Sequence, residues 1–183
     1  MFLEPLQRHL AVCARADLPR MARLDPKFWN VVSMRGPTQP PIDRRGFKQI
    51  HQVICYDVAG GDPTDPDNML GVPRREHLQG IFRFADSIVG EPILVHCQAG
   101  VSRSTAVALA LIVRAMHADG AGTSEISEDA PELLLAIRPQ AAPNPLILEL
   151  GISEFMPPDT ARNLVRLLLG NPALLANRHG GNR

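Results

Sequence analysis

Neither sign of charge is in excess in this sequence of 183 residues: 19 Lys and Arg stand against 19 Asp and Glu, with no long run of either. A nucleic-acid footprint shows as a basic excess or stripe, and a polybasic membrane anchor needs one too. Neither a nucleic acid nor a membrane is therefore expected as a partner. Long apolar runs are also missing. The longest, Ala106 to Val113, is far too short to span a bilayer, and Met1 to Leu10 carries Glu4, Pro5, Gln7 and Arg8, unlike a secretory signal. Cysteine is scarce: Cys13, Cys55 and Cys97 are odd in number, widely spaced and without a CxxC pair. That argues against a disulfide framework or structural zinc, and for reduced thiols in a cytoplasmic protein. His51, His77, His117 and His179 show no paired ligand spacing, so neither a metal nor a cofactor is expected. Repeats and low-complexity tracts are absent. What is present is apolar content of 45%, enough for one core: a single domain over residues 1–176, followed by an expected disordered tail over 177–183.

Short apolar runs bounded by turn formers predict strands at Arg8–Ala14, Trp29–Met34, Gln49–Val58 and Pro92–His96. Helices are predicted at Ala16–Leu24, from Pro73 onward, at Ser104–Met116, and near Pro131–Arg138, Pro145–Phe155 and Pro158–Leu169. Pro37, Pro40 and Pro41 make the stretch from Gly36 to Asp43 a loop, and Gly60 to Asn68 is dense in turn residues. Strands alternating with helices imply an α/β fold, a mostly parallel central sheet of four or five strands flanked by helices. Ligand sites in such sheets lie beyond the carboxyl ends of the strands, where both Cys97 and Asp57 fall.

The run His96-Cys97-Gln98-Ala99-Gly100-Val101-Ser102-Arg103-Ser104 concentrates the chemistry. A buried strand that ends in His-Cys, with an Arg six residues after Cys97 opening a helix, has to turn sharply, and Gly100 sits mid-loop where unusual dihedrals cost least. Successive amides in such a turn form an anion-binding nest, and the helix adds its unpaired N–H groups and dipole. Arg103 can offer a fork to two oxygens of a tetrahedral dianion, so Gln98, Ala99, Gly100, Val101, Ser102 and Arg103 together read as a phosphate cradle. The same field favours the thiolate of Cys97, an in-line nucleophile beneath a bound phosphoryl group. Ser104 or Ser102 is placed to donate a hydrogen bond to the sulfur, and His96 reads as an orienting residue under the loop. Asn144, between Pro143 and Pro145, reads as a helix N-cap. Cys55 reads as a buried strand cysteine or as a trap for an oxidised Cys97.

HCQAGVSRS resembles the HCxxGxxR[ST] phosphate loop of the cysteine-dependent protein tyrosine and dual-specificity phosphatase superfamily, and the whole chain resembles its small bacterial members. WNVVSM, QVICYDV and RPQAAPNPL are similar to further segments of that superfamily, so the resemblance covers roughly Cys13 to Phe155. It implies a protein tyrosine phosphatase-like fold of the dual-specificity type and hydrolysis of a phosphomonoester through a cysteinyl phosphate. It also implies support of the loop by Asn144, and a general acid and base on a neighbouring loop. Asp57 aligns with that acid; Asp62, Asp65 and Asp67 compete with it. The expected partners are a phosphorylated substrate, a phosphoprotein first, and inorganic phosphate or other oxyanions in the loop. Neutral Gln98, Ala99 and Val101 weigh against an inositol lipid, and the single tyrosine, Tyr56, against a deep aromatic pocket. The non-enzyme alternative is a pseudophosphatase that binds phosphoproteins. A Walker-type nucleotide loop lacks its Lys here, and the R[ST] ending and the loop's late position speak against a rhodanese or arsenate reductase.

Overall fold

The computed structural model describes residues 1–58 and 71–180. Its sheet contains β1 (Phe2–Leu3), β2 (Arg8–Ala14), β3 (Asn30–Arg35), β4 (Gln49–Ile54) and β5 (Ile93–Cys97), in the order β1-β2-β5-β3-β4. The last four strands of that order run parallel, and β1 pairs antiparallel at the edge. Every residue of the central strand β5 is buried, as expected for a parallel strand covered on both faces. The register sets Ala14 beside Cys97 and Ser33 beside His96, so three carboxyl ends converge where Cys97 leaves the sheet.

Side-chain alternation along the strands divides the core. Cys13, Val31 and Leu94 face a small cluster with Leu18 of α1 (Leu18–Leu24), Trp29 and Phe47. Val12, Val32, Ile93 and Val95 face the main core with α2 (Arg75–Ser87), α3 (Arg103–Ala118), α4 (Thr123–Ile137), α5 (Pro145–Ile152) and α6 (Pro158–Leu169). Helix α3 is apolar nearly all round because it packs on β2 and β5 from one side while α4 and α5 cover the other. No helix among the described residues is long and apolar enough to cross a membrane.

The sheet has the expected parallel character, with departures at element ends. Strand β4 stops at Ile54 and not at Val58. Its neighbour β3 ends at Arg35, whose carbonyl still accepts from Cys55 N, and beyond it the chain turns into the proline loop, leaving no partner to extend the ladder. Tyr56 is consequently exposed and not a strand residue. Helix α2 begins at Arg75, two residues after Pro73. Helix α4 begins at Thr123, eight residues before the Pro131 at which the sequence places its start. Burial of Ile126, Ala130, Pro131 and Leu134 along one face offsets the hydrogen bond that the proline removes. A further helix, α7 (Pro172–Gly180), runs into the stretch expected to be a disordered tail, where Asn177 Nδ2 donates to the carbonyls of Pro139 and Ala141.

Candidate active site

Residues 98–102 bend between β5 and α3, and each of their carbonyls accepts a hydrogen bond from outside the loop. Gln98 O takes Arg15 N at 3.2 Å, and Val101 O takes Ala142 N at 2.9 Å and the Thr105 hydroxyl. Ala99 O and Gly100 O take the Nη2 and Nε of one guanidinium, Arg138, at 3.1 and 2.9 Å. Ser102 O takes Ala106 N at 3.0 Å and Thr105 Oγ1 at 2.9 Å. A peptide unit is planar and trans, so its N–H points opposite its carbonyl. With the carbonyls of Gln98 to Ser102 turned outward, the amides of Ala99, Gly100, Val101, Ser102 and Arg103 are turned into the loop, the nest the sequence predicts.

Gly100 is required twice over. Its φ is +69°, and a Cβ there would lie 2.5 Å from the Cys13 carbonyl carbon and 2.6 Å from Ala14 N. The loop therefore rests directly on the end of β2. Beneath it Cys97, 1% exposed, has its Sγ 3.1 Å from Ser104 Oγ. That contact assigns to Ser104, and not to Ser102, the hydroxyl beside the sulfur. His96 is fully buried, with Nε2 at 2.8 Å from Ser33 Oγ and Nδ1 at 3.4 Å from the Cys97 carbonyl. Burial pushes its imidazole down to about 4, so it stays uncharged at neutral pH and braces the strand end. Burial also pushes the Cys13 thiol up to about 12 and the Cys55 thiol up to about 11, which keeps both protonated.

Arg103 is 6% exposed and is held from behind, where Nη1 donates to the Cys55 carbonyl at 2.8 Å. Its Nε lies 3.5 Å from Asp57 Oδ2 and has no hydrogen-bond partner among the described residues. A buried guanidinium N–H left this way is suited to an incoming oxyanion. Asp57 leaves the end of β4 toward the loop, accepting from Ser102 Oγ at 2.6 Å and from Asn144 Nδ2 at 2.9 Å on Oδ1. Asn144 acts twice: its Oδ1 caps α5 by accepting from Ile147 N at 3.1 Å, and its Nδ2 also donates to the Val58 carbonyl at 3.0 Å. The competing acids Asp62, Asp65 and Asp67 lie outside the described residues.

The structure thus gathers Cys97, Arg103, Asp57, Ser104 and Asn144 around one loop, with His96 below it. Sequence reasoning missed the outer supports, Arg138, Thr105, Arg15 and Ala142. Arg138 was legible only as the first residue of RPQAAPNPL, and nothing in its spacing revealed that it holds two consecutive carbonyls. His51 and His117 are accounted for by packing on Phe84 and Phe155.

This arrangement of sheet, central helix and loop is the fold of the cysteine-dependent protein tyrosine and dual-specificity phosphatases. Among solved structures, DUSP15 matches with a TM-score of 0.56 at 22% identity over 91% of this chain and 94% of its own. Tk-PTP in its active form matches with a TM-score of 0.53 at 20% identity over 81% and 93%. PTPMT1, solved in complex with PI(5)P, matches with a TM-score of 0.53 at 18% identity over 85% and 92%. No protein-family model matches the sequence, and no curated protein is recognisably similar to it.

Proposed function

We propose that this protein is a phosphomonoester hydrolase of the protein tyrosine or dual-specificity type, working through a cysteinyl phosphate on Cys97. The observation that carries the reading is the outward pairing of the carbonyls from Gln98 to Ser102, which leaves the loop amides, with Arg103, suited to a tetrahedral dianion above the buried Cys97. Cys97 Sγ attacks phosphorus, the S–P bond forms, and the P–O bond to the leaving group breaks as Asp57 delivers its proton to that oxygen. The loop amides and the Arg103 fork stabilise the equatorial oxygens throughout. In the second step Asp57 takes a proton from water, the water oxygen attacks phosphorus, and the S–P bond breaks to release phosphate. Ser104 donates to the departing sulfur. A phosphoprotein is the favoured substrate, because Gln98, Ala99 and Val101 offer no cation to a multiply phosphorylated headgroup.

One observation favours a second reading, a pseudophosphatase that binds phosphoproteins without turnover. The Asp57 carboxylate already accepts from Ser102 and Asn144 and faces Arg103, so it is engaged before any substrate arrives. Turnover of an aryl phosphate, phosphotyrosine and phosphoserine peptides and phosphoinositide vesicles, with the Cys97→Ser protein as blank, separates the two. Hydrolysis lost in Cys97→Ser supports the enzyme; vanadate binding without hydrolysis supports the module; turnover retained by Cys97→Ser overturns the nucleophile. With a poor leaving group, Asp57→Asn is expected to flatten the alkaline limb of the pH–rate profile, and an unchanged limb would move the acid elsewhere.

A further inference from the structure

Beside the phosphate loop, on the face covered by α1, lies a cavity of about 370 Å³ that the proposed chemistry does not use. Its floor is apolar, made of Leu18 and Phe47, both buried, with Ile42. Its rim carries Arg15, Arg23 and Arg45. Asp43 offsets one of these charges through its 2.7 Å ion pair with Arg45, whereas Arg15 and Arg23 form no ion pair among the described residues. The rim therefore keeps a positive surplus in a chain whose overall charge is balanced.

Two features make this groove preformed and set it against the loop. Its outer wall is the proline loop, whose carbonyls are tied down by two arginines: Arg35 Nη1 donates to Gly36, Pro37 and Gln39, and Arg15 Nη2 to Pro40 and Pro41. The backbone N–H of the same Arg15 donates to Gln98 O, one residue from the nucleophile, and Gln39 Nε2 donates to Gln98 Oε1 at 2.8 Å. The groove thus lies one hydrogen bond from the phosphate loop, next to where the residues flanking a bound phosphorylated side chain would run.

Resting on the proposed phosphatase activity, we infer that this groove selects the polypeptide flanking the phosphorylated residue, taking one apolar side chain on its floor and acidic neighbours on its arginine rim. The floor decides against an inositol headgroup, whose hydroxyls and phosphates would sit unpaired on Leu18, Ile42 and Phe47. A peptide supplies both chemistries at once. Pairs at an exposed rim are weak, so the groove sets preference and leaves the chemical step alone.

The test is kcat/KM on peptides sharing one phosphorylated residue, with flanks that carry Leu plus Glu, Leu plus Lys, or Ser plus Glu, and an aryl phosphate as reference. The Leu plus Glu peptide is expected to lead each of the others by roughly three- to ten-fold, with the charge preference shrinking as salt rises. Arg23→Glu is expected to invert the Glu-over-Lys order while leaving the aryl phosphate rate unchanged. An unchanged order in Arg23→Glu, equal rates for Leu and Ser flanks, or preference for phosphatidylcholine vesicles carrying a phosphatidylinositol monophosphate would each overturn the inference. If no aryl phosphate is hydrolysed, the phosphatase reading itself fails. Affinities of the same peptides for Cys97→Ser, ranked likewise and inverted by adding Arg23→Glu, then decide the groove independently.

Discussion

Asn144 Nδ2 donates to Asp57 Oδ1 at 2.9 Å across 87 residues of chain, while Asn144 Oδ1 caps α5. The two tasks separate by mutation. Asn144→Ala removes both and is expected to cost about 1 kcal/mol of stability through the lost cap, together with turnover. Asn144→Ser keeps an acceptor that can cap α5 but lacks the amide donor to Asp57. Its expected outcome is a Tm above that of Asn144→Ala with turnover as poor. Equal activity of wild type and Asn144→Ser would mean that the contact does not position Asp57.

Arg138 holds the carbonyls of Ala99 and Gly100 with two donors of one planar fork. Its removal frees two peptide units to rotate and turn their amides away from the proposed phosphate site. Arg138→Ala is expected to lower kcat/KM roughly 10- to 100-fold, the scale of a lost hydrogen bond to a charged group, and to weaken vanadate binding in parallel. Arg138→Lys keeps the charge without the fork and is expected to rescue little. Calorimetric titration with vanadate checks the first result, and full rescue by lysine would reduce Arg138 to a general charge effect.

In the proposed reaction, the Ser104 hydroxyl beside Cys97 Sγ would act in the second half, when sulfur leaves as thiolate. Ser104→Ala is expected to give a stoichiometric burst of aryl alcohol followed by a steady state roughly 10- to 100-fold slower. Ser102→Ala is expected to show no burst, since Ser102 contacts Asp57. Stopped-flow absorbance distinguishes them; a burst in Ser102→Ala alone would exchange their roles.

His96 links stability to pH. Its folded imidazole titrates near about 4 against 6.5 for the free group, because burial disfavours the charged form. The unfolded chain therefore takes up the proton first. Stability is full above about pH 6.5, declines as pH falls toward about 4 and levels off below, a span worth about 3 kcal/mol. Urea unfolding between pH 7 and 4 is expected to show this slope, and His96→Asn to remove much of it. An equal slope in the variant would trace it to other groups.

The parallel sheet and the loop were legible because both are local patterns: apolar runs of strand length, and a Cys and an Arg six apart around a glycine. Element ends were less so. Where β4 stops depends on where β3 stops, and the start of α4 depends on burial outweighing a proline, neither of which is written near the residues concerned. The outer supports of the loop were illegible for the same reason. Arg15, Arg138 and Ala142 reach it through backbone carbonyls, which every residue carries and no motif marks. The sequence sets Asp57 at the sheet edge that carries Cys97, but the spacing said nothing of Ser102 and Asn144, the donors that hold it.

Gly100 rests on the backbone of Cys13 and Ala14, Arg103 on the carbonyl of Cys55, and Asp57 on Asn144. The cradle is therefore closed by contacts drawn from the beginning, middle and late part of the chain. During synthesis, the strand and helix that flank the loop would emerge well before Asn144 does. A nascent chain would carry Cys97 without the contacts that shape its loop, and the proposed site would be complete only once the segment through α5 has cleared the ribosome and docked.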